Sequence, residues 1–230
     1  MNAIIQTKEL RKNFKTEEVL KSIDFNLNEG EICALIGKNG AGKSTFFKLL
    51  SGQMIPTSGN IQLFDKKGPH LGKARKRVGF IIESPAFFPD FTGVQNLEYL
   101  RLQRGVTEKK RIHEVLEIVG LTNAKHKKFH TYSMGMKQKL VLIIGILLDY
   151  EYILMDELFA GIDFIAAEVI TDFLKELKDA GKTIVVSTHQ LNIAQQLADE
   201  ILFLHNGHVH QMTNRFNTAH ELQNYLRVLI

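Results

Sequence analysis

Residues 37–45 read GKNGAGKST and match the pattern G-x-x-x-x-G-K-[ST]. The stretch follows an apolar run typical of a buried strand, EICALIG (31–37), and opens a helical pattern that ends in glycine, KSTFFKLLSG (43–52). A glycine-rich turn between a strand and a helix N-terminus directs several backbone N–H groups at one point, where an anion can bind. This context favours a phosphate-binding loop over a glycine-rich turn without a ligand.

The residues of this loop have separate expected roles in binding a nucleotide. Gly37, Gly40 and Gly42 allow the backbone to turn tightly. Lys43 is expected to reach the β- and γ-phosphates, and the Ser44 hydroxyl is expected to bind Mg²⁺. The ATP-binding residues predicted from the loop are Gly37, Lys38, Asn39, Gly40, Ala41, Gly42, Lys43, Ser44 and Thr45.

A second candidate element is the acidic stretch EYILMDELFAGID (151–163), in which a strand-like apolar run ends at Asp156 and Glu157. Taken alone, two adjacent acids at a strand end are typical of a solvated turn. In a chain with a phosphate loop, Asp156 is instead expected to hold the Mg²⁺ shell, usually through water. Glu157 is then placed to polarise a water for in-line attack on the γ-phosphate.

Most of the chain alternates short β-rich runs with helical patterns, which predicts an α/β fold with parallel strands at the centre of the sheet. Further buried strands are expected at VGFII (78–82), YILMD (152–156) and TIVVS (183–187). The segment FIAAEVITDFLKELKDAG (164–181) has helical spacing and a glycine stop.

Between residues 84 and 150 the strand patterns disappear, and three segments have helical spacing: NLEYLRLQRG (96–105), EKKRIHEVLEIVG (108–120) and MKQKLVLIIGILL (136–148). We therefore expect a helical subdomain at about 84–150, inserted between two strands of the sheet. A length of 230 residues suits one large domain with such an insertion, so residues 1–230 are predicted to form a single domain.

Composition indicates an intracellular globular protein. The single cysteine, Cys33, excludes a disulfide framework, and the longest apolar stretch, LVLIIGILL (140–148), is shorter than the roughly 20 residues that span a bilayer. The formal charge is +4, with basic patches GKARKR (72–77) and KHKK (125–128) that suit an acidic partner, a membrane-facing surface or solvated loops. No recognition helix or stacking aromatic accompanies these patches, so no nucleic-acid partner is expected.

Two further motifs follow in order along the chain, YSMGMKQKL (132–140) and STHQ (187–190). With the phosphate loop and the Asp–Glu strand, they make the sequence resemble the ATP-binding subunits of ABC transporters over roughly residues 3–210. The resemblance implies a P-loop NTPase core of the ABC type with a mixed sheet. It also implies an N-terminal antiparallel β subdomain and an inserted helical subdomain.

The resemblance implies that two subunits face each other head to tail, with ATP between the phosphate loop of one and the signature of the other. The signature residues expected to contact the partner's ATP are Ser133, Met134 and Gly135. The signature serine and the helix N-terminus would then donate to the γ-phosphate across the interface. Asp163 matches the loop that crosses this interface.

Two other site residues are carried over from the resemblance. His189 is expected to contact the γ-phosphate and to hold the attacking water together with Glu157. Phe14, in KNFKTEEVL (12–20), matches the aromatic residue that stacks on adenine, and the alternative is a phenylalanine of the core.

The sequence departs from the family pattern at Glu83, where such subunits place a glutamine that contacts Mg²⁺ and meets the membrane partner. A carboxylate adds negative charge near the γ-phosphate and is a harder Mg²⁺ ligand than an amide. Together with SPAFFP (84–89) and YSMGM (132–136), this glutamate is similar to the ATPases of bacterial exporters that protect against lantibiotics, bacitracin and related peptides. The alternative is that the change is drift and that the protein moves another substrate.

Other departures concern the turn and the signature. Leu158 replaces the usual proline after the acid pair, which loosens a fixed φ in the turn that holds Glu157, but activity is expected to survive. Met134 and Met136 replace glycine and glutamine of the signature, whereas Ser133 is retained.

The segment HNGHVH (205–210) contains three histidines at a spacing that suggests a metal site, but strand–Asn-Gly–strand favours a tight hairpin. Of these histidines, only His208 and His210 are expected to share a face.

The leading hypothesis is therefore an ATPase that drives an exporter of membrane-acting antimicrobial peptides. Its expected cofactors are ATP and Mg²⁺. Its expected partners are a second ATP-binding subunit, identical or related, and separate membrane-spanning permease chains that hold it at the inner, cytoplasmic face of the cell membrane. The competing hypotheses are a soluble P-loop ATPase acting on DNA, for which long coiled-coil insertions would be typical, and a regulatory module that binds ATP without hydrolysing it.

Overall fold

The computed structural model describes residues 3–82, 87–103, 105, 109–148 and 150–229. The chain divides into two compact units. The first unit comprises Met1–Ile82, Glu151–Leu158 and Leu174–Ile230, and the second comprises Glu83–Tyr150 and Phe159–Phe173.

All strands of the described residues belong to the first unit. In chain order they are β1 (Ala3–Phe14), β2 (Glu17–Asn28), β3 (Ile32–Ile36), β4 (Ser58–Leu63), β5 (Lys66–Lys67), β6 (Val78–Ile81), β7 (Tyr152–Met155), β8 (Thr183–Thr188), β9 (Glu200–His205) and β10 (His208–Thr213). One sheet has the order β10-β9-β3-β8-β7-β6, with β10 antiparallel to β9 and the other neighbours parallel. The other sheet is antiparallel, in the order β2-β1-β4-β5. The prediction of an α/β fold with a mixed sheet and an N-terminal antiparallel sheet is confirmed.

Helices occupy both units. Within the described ranges they are α1 (Lys43–Ser51), α2 (Leu71–Arg75), α3 (Gly93–Gln103), α4 (Arg111–Ile118), α5 (Met134–Leu147), α6 (Phe164–Asp179), α7 (Leu191–Leu197) and α8 (Ala219–Val228). The second unit contains α3, α4, α5 and the first part of α6. In the part of the chain that the structure describes, no helix is both long and apolar enough to cross a membrane.

The hydrophobic core of the first unit joins the antiparallel sheet to α1 and to the centre of the mixed sheet. Phe25 of β2 meets Phe46 of α1 edge to face, with ring centroids 5.7 Å apart. On the fully buried β3, Cys33 faces this core. Burial raises the pKa of the Cys33 thiol, and the carboxylates nearby, that of Glu200 first, raise it further. The reactive thiolate is therefore disfavoured at this position.

The β9–β10 hairpin corrects the sequence prediction about its histidines. Asn206 and Gly207 form the two-residue turn with φ of 48° and 80°, as the Asn-Gly pair predicts. The turn places His205 directly opposite His208, so His205 lies on the same face as His208 and His210. The expectation that only His208 and His210 share a face was wrong, because it ignored this pairing. Even so, the described residues include no group of three or more His, Cys, Asp or Glu that could hold a metal ion.

The C-terminal end of α1 is capped by a glycine and an arginine. Gly52 adopts φ of 80° and its N–H donates to the carbonyl of Leu49 at 3.2 Å. The Arg75 guanidinium of α2 donates to the carbonyls of Leu50 (2.9 Å) and Leu49 (3.2 Å). Burial lowers the pKa of Arg75, but the group stays charged and complements the negative end of the helix dipole.

Replacing Arg75 with alanine should lower the free energy of unfolding by roughly 1–2 kcal/mol, because two helix-end carbonyls lose a charged donor. Urea denaturation followed by circular dichroism measures this. The matched control is Lys73→Ala, an exposed position of the same helix, which should change the free energy by less than about 0.5 kcal/mol. Equal losses in both variants would contradict the role assigned to Arg75.

Candidate nucleotide site

Three neighbouring strands bring the predicted site residues to one edge of the mixed sheet. β3 pairs in register with β8, Ile36 opposite Thr188, and β8 pairs with β7, Val186 opposite Met155. The strands are parallel, so their carboxyl ends open toward the same edge, where ligands bind in α/β sheets. The phosphate loop, the acid pair and the histidine strand therefore converge, although up to about 150 residues separate them in sequence.

The loop after β3 has the backbone that its glycines predict. Gly40 and Gly42 adopt φ of 80° and 106°, which residues with a side chain rarely do. The Ala41 N–H donates to the carbonyl of Lys38 at 3.1 Å, and α1 begins at Lys43. Half-buried Ser44 and Thr45 follow in the first turn of α1, at the positive end of its dipole. The loop has the local structure of an anion-binding nest.

Gly37 is required for a different reason, because its Cα lies against the neighbouring strand. A Cβ at this position would lie 2.6 Å from the carbonyl oxygen of Leu204 in β9. The first residue of the loop is thus packed directly against β9, and this position has no space for a side chain.

Lys43 lies under the loop and contacts the acid pair. Its side chain is 5% exposed, and its Nζ donates to the carbonyls of Gly37 (2.9 Å) and Lys38 (3.2 Å). The same ammonium forms an ion pair with Glu157 Oε1 at 3.1 Å. The phosphate-loop cation and the predicted base are thus in direct contact.

Asp156 and Glu157 are held by the strands on either side of β7. The Asp156 N–H donates to the carbonyl of Ile81 in β6 at 2.8 Å. On the other side, Ser187 of β8 donates its hydroxyl hydrogen to Asp156 Oδ1 and accepts the Glu157 N–H at 2.8 Å. Glu157 adopts φ of 50°, in the left-handed region that is uncommon for residues with a side chain.

His189 completes the group. Its Nδ1 lies 3.3 Å from Glu157 Oε2, so the Glu157 carboxylate is placed between Lys43 and His189, one oxygen to each. The sequence predicted that Glu157 and His189 act together, and the structure brings them into contact.

Phe14 lies at the end of β1 and is 42% exposed, so it is not among the buried residues of the core. The Lys12 ammonium lies 5.1 Å from its ring centroid. Nearby in sequence, the start of β2 lines an open cleft of about 700 Å³ together with loop residues 38–41 and the β9–β10 turn. The cleft therefore borders the phosphate loop.

The remaining predicted residues belong to the second unit or lie outside the described residues. Ser133 precedes α5, and its Oγ accepts the N–H of Met136 at 3.3 Å. Asp163 precedes α6, where its Oδ1 accepts the N–H of Ala166 at 2.8 Å. Both residues are exposed and act as N-caps. Glu83 lies outside the described residues.

Met134 and Gly135 begin α5, next to the loop before α6. A Cβ at Gly161 would lie 3.5 Å from Met134 Cγ, and a Cβ at Gly135 would lie 3.2 Å from the Cβ of Ala166. The signature and the Asp163 loop therefore touch each other within the second unit.

Sequence reasoning missed Ser187, although it begins the STHQ motif that supplied His189. Its position at the end of a strand beside the acid pair was the available signal. It also missed the ion pair between Lys43 and Glu157, because nothing in the sequence indicates which carboxylate Lys43 meets.

The fold and this edge of the sheet define a P-loop nucleotide-binding protein. Comparison with known proteins narrows the class: the profile of the ABC transporter family matches residues 20–160. The chain is 36% identical to the bacitracin transport ATP-binding protein BcrA of Enterococcus faecalis, over 93% of this chain and 70% of the relative. It is 32% identical to the lantibiotic transport ATP-binding protein SrtF of Streptococcus pyogenes, over 90% of this chain and 89% of the relative.

Solved structures agree with this assignment. An ATP-binding subunit of an ABC transporter superposes with a TM-score of 0.83 at 30% identity, over 97% of this chain and 99% of that one. A dimeric ATP-binding cassette in a post-hydrolysis state, bound to ADP and Pi, superposes with a TM-score of 0.80 at 28% identity, over 92% and 99%. The chain belongs to the ABC transporter family. It binds ATP and is an ATPase of that family.

Substituting Gly37 with alanine should lower the free energy of unfolding by about 1–3 kcal/mol, because the new Cβ must displace the carbonyl of Leu204. ATP affinity should fall as well, because the loop that follows shifts with it. Thermal denaturation and binding of a fluorescent ATP analogue measure the two effects.

Gly72→Ala is the matched control, since no described heavy atom lies within 4 Å of a Cβ placed there and the residue is in α2. It should leave ATP affinity unchanged and raise stability by at most about 1 kcal/mol. Normal stability and ATP affinity in Gly37→Ala would show that the close approach to β9 does not matter.

Proposed function

We propose that this chain is the ATP-hydrolysing subunit of an exporter that removes membrane-acting antimicrobial peptides of the bacitracin or lantibiotic type. The transport activities named for BcrA and SrtF support the peptide substrate. The observation that carries the catalytic part is the Glu157 carboxylate, which lies between Lys43 and His189 at the phosphate-loop edge. We further propose that residues 1–230 act as one ATP-binding domain.

Glu157 is the proposed general base. Its carboxylate takes a proton from water as the water oxygen attacks the γ-phosphorus, and the bond from the γ-phosphorus to the β–γ bridging oxygen breaks. ADP leaves with the bonding electron pair, and the other product is inorganic phosphate. His189, 3.3 Å from Glu157 Oε2, is placed to orient the water and to contact the γ-phosphate.

Lys43 and the loop backbone are the proposed phosphate-binding groups. An anionic phosphate in the loop competes with Glu157 for the Lys43 ammonium, which now lies 3.1 Å from Glu157 Oε1. Nucleotide binding would therefore free Glu157 from this ion pair and make its carboxylate available to the water. Phe14, exposed at the end of β1, is the proposed stacking platform for adenine.

The residues present fit a Mg²⁺ ion that arrives with ATP. Ser44 offers a hydroxyl and Asp156 a carboxylate, and such hard oxygen donors, completed by phosphate and water, are the ligands that Mg²⁺ prefers. The Ser187 hydroxyl donates to Asp156 Oδ1, so the ligand proposed for the Mg²⁺ shell is the other carboxylate oxygen, Oδ2. Glu83 is proposed as a further ligand on sequence grounds. When bound, Mg²⁺ neutralises charge that develops on the phosphates.

We propose that the complete site needs a second ATP-binding subunit, either a copy of this chain or a relative. Ser133 accepts the Met136 N–H, and its own hydroxyl hydrogen can be donated to the partner's γ-phosphate. Met134 and Gly135 follow at the N-terminus of α5, where the helix dipole favours an anion. Asp163 lies on the adjoining loop. The dimeric state of the related ADP- and Pi-bound cassette supports this arrangement.

Separate membrane-spanning chains are the proposed transport partners, and they would hold this subunit at the inner face of the membrane. Three exposed aromatic rings in the second unit form a candidate contact surface. The centroid of Phe88 lies 4.8 Å from that of Phe91 and 4.9 Å from that of Tyr99. Buried Asn96 orders this segment, accepting from the Phe88 N–H at 2.8 Å and donating to its carbonyl at 3.1 Å. Clustered exposed aromatic rings are candidates for protein contacts.

Exchanging Glu157 for glutamine should lower kcat for ATP hydrolysis by about 100- to 10,000-fold, because the amide cannot accept the proton. ATP-dependent dimerisation should persist, because the phosphate loop and the signature are unchanged. Phosphate release and gel filtration with ATP measure the two properties. Glu176→Gln, an exposed glutamate of α6, is the control and should keep wild-type activity.

The same measurements separate the alternative functions. A wild-type chain without ATPase activity, even alongside its membrane partner, would favour a module that only binds nucleotide and would overturn the proposal. Stimulation of the ATPase by DNA instead of by the permease would favour the DNA-directed class.

For Glu83→Gln, we expect protection of cells against bacitracin or a lantibiotic to change more than basal ATPase activity does. The reason is that residue 83 follows β6 in the sequence. At this position the family pattern has a glutamine that contacts Mg²⁺ and meets the membrane partner. Inhibitory peptide concentrations for cells that express the chain with its permease, compared with phosphate release by the purified subunit, test this. Equal protection by both versions against every peptide would remove the support for coupling through Glu83.

A further inference from the structure

The side chain of Ser187 connects two strands at the point where their backbone pairing ends. The last paired residues of β7 and β8 are Met155 and Val186. Asp156 follows β7, and its N–H donates to the carbonyl of Ile81 in β6, on the side away from β8. From β8, the hydroxyl of Ser187 then reaches both acids, donating to Asp156 Oδ1 and accepting from the Glu157 N–H at 2.8 Å.

Burial makes these two bonds hard to replace. Ser187 is fully buried, so water cannot take over the hydroxyl's role if the side chain is removed. A hydroxyl has one hydrogen to donate and can accept at the same time, and here both capacities are used. A single hydroxyl group therefore fixes the carboxylate of Asp156 and the backbone of Glu157 relative to each other.

The Glu157 backbone depends on such support. Its φ of 50° is disfavoured for a residue with a Cβ, and such conformations persist where the surroundings hold them. The hydrogen bond from the Glu157 N–H to Ser187 holds the backbone of this turn from the β8 side, whereas His189 contacts the Glu157 side chain.

We propose that Ser187 is a positioning residue for ATP hydrolysis, which holds Glu157 and Asp156 in the orientation that the reaction needs. This inference rests on the proposed roles of those two acids. The two hydrogen bonds of its hydroxyl both go to the acid pair, so Ser187 is expected to act on the chemical step more than on ATP binding. Ser187 lies in β8 two residues before His189, which contacts the Glu157 carboxylate itself.

The test compares Ser187→Ala with Thr183→Ala in the full chain, alone and with its permease. Thr183 begins the same strand, is equally buried, and its hydroxyl accepts the N–H of Gly30 at 2.8 Å. Each variant loses a buried hydroxyl that accepts a backbone N–H, but Thr183 lies at the opposite end of β8 from the site. Steady-state ATPase kinetics, binding of a fluorescent ATP analogue and thermal denaturation are measured for both.

Ser187→Ala should lower kcat by about 10- to 100-fold, as a displaced catalytic group does, and leave KM and the affinity for the analogue within about twofold. Thr183→Ala should keep wild-type kcat with a similar loss of melting temperature. Ser187→Cys, which has nearly the same shape but a weaker donor and acceptor, should have a kcat between wild type and Ser187→Ala.

Several results would overturn the inference. These are a wild-type kcat in Ser187→Ala, an equal loss of kcat in Thr183→Ala, and a loss that appears mainly in KM or in affinity for the analogue. If Ser187→Ala does not fold, Ser187→Cys alone decides: normal kcat contradicts the proposal, and reduced kcat at normal KM supports it. Glu157→Gln distinguishes failure of the proposed function from failure of this inference. If Glu157→Gln keeps its ATPase activity, the role of Glu157 as general base is wrong. If Glu157→Gln is inactive but Ser187→Ala is fully active, only the positioning role of Ser187 is wrong.

Discussion

Parallel, in-register pairing of β3 with β8 and of β8 with β7 is the constraint on which the site depends. It fixes the carboxyl ends of three strands side by side, and each end delivers a different group: the phosphate loop, the histidine and the acid pair. The contacts among Lys43, Glu157 and His189 then follow from strand spacing, because neighbouring strands lie only about 4.8 Å apart. A shift of register by one residue would turn each side chain to the other face and separate the three groups.

The sequence predicted the elements of this arrangement but not their neighbours. The structure of GKNGAGKST (37–45) is determined by its own residues, since Gly40 and Gly42 allow the positive φ of the turn and α1 begins directly afterwards at Lys43. The buried strands were recognisable as apolar runs bounded by polar turns. The order of the strands was not, because β8 lies between β3 and β7 although it follows both in the chain. The bond between Ser187 and Asp156 joins residues 31 apart, and no local pattern records it.

The signature was recognisable only through resemblance, and its local physics explains why. Ser133 and Asp163 each accept an N–H three residues ahead, as ordinary N-caps do. From one chain alone, both residues would be interpreted as helix starts. A role in binding a partner's nucleotide adds to the capping role without altering the local pattern, so the sequence of the segment cannot separate the two.

The burial of Cys33 gives the folded chain an unusual chemical property. The only thiol of the sequence lies in the central strand with its pKa raised, so alkylating reagents and mild oxidants meet no reactive sulfur while the fold persists. A cysteine introduced at a surface position would then be labelled selectively without removal of the native one. The wild-type chain is thus already a suitable background for spectroscopic probes, and reactivity of Cys33 itself would report unfolding of the core.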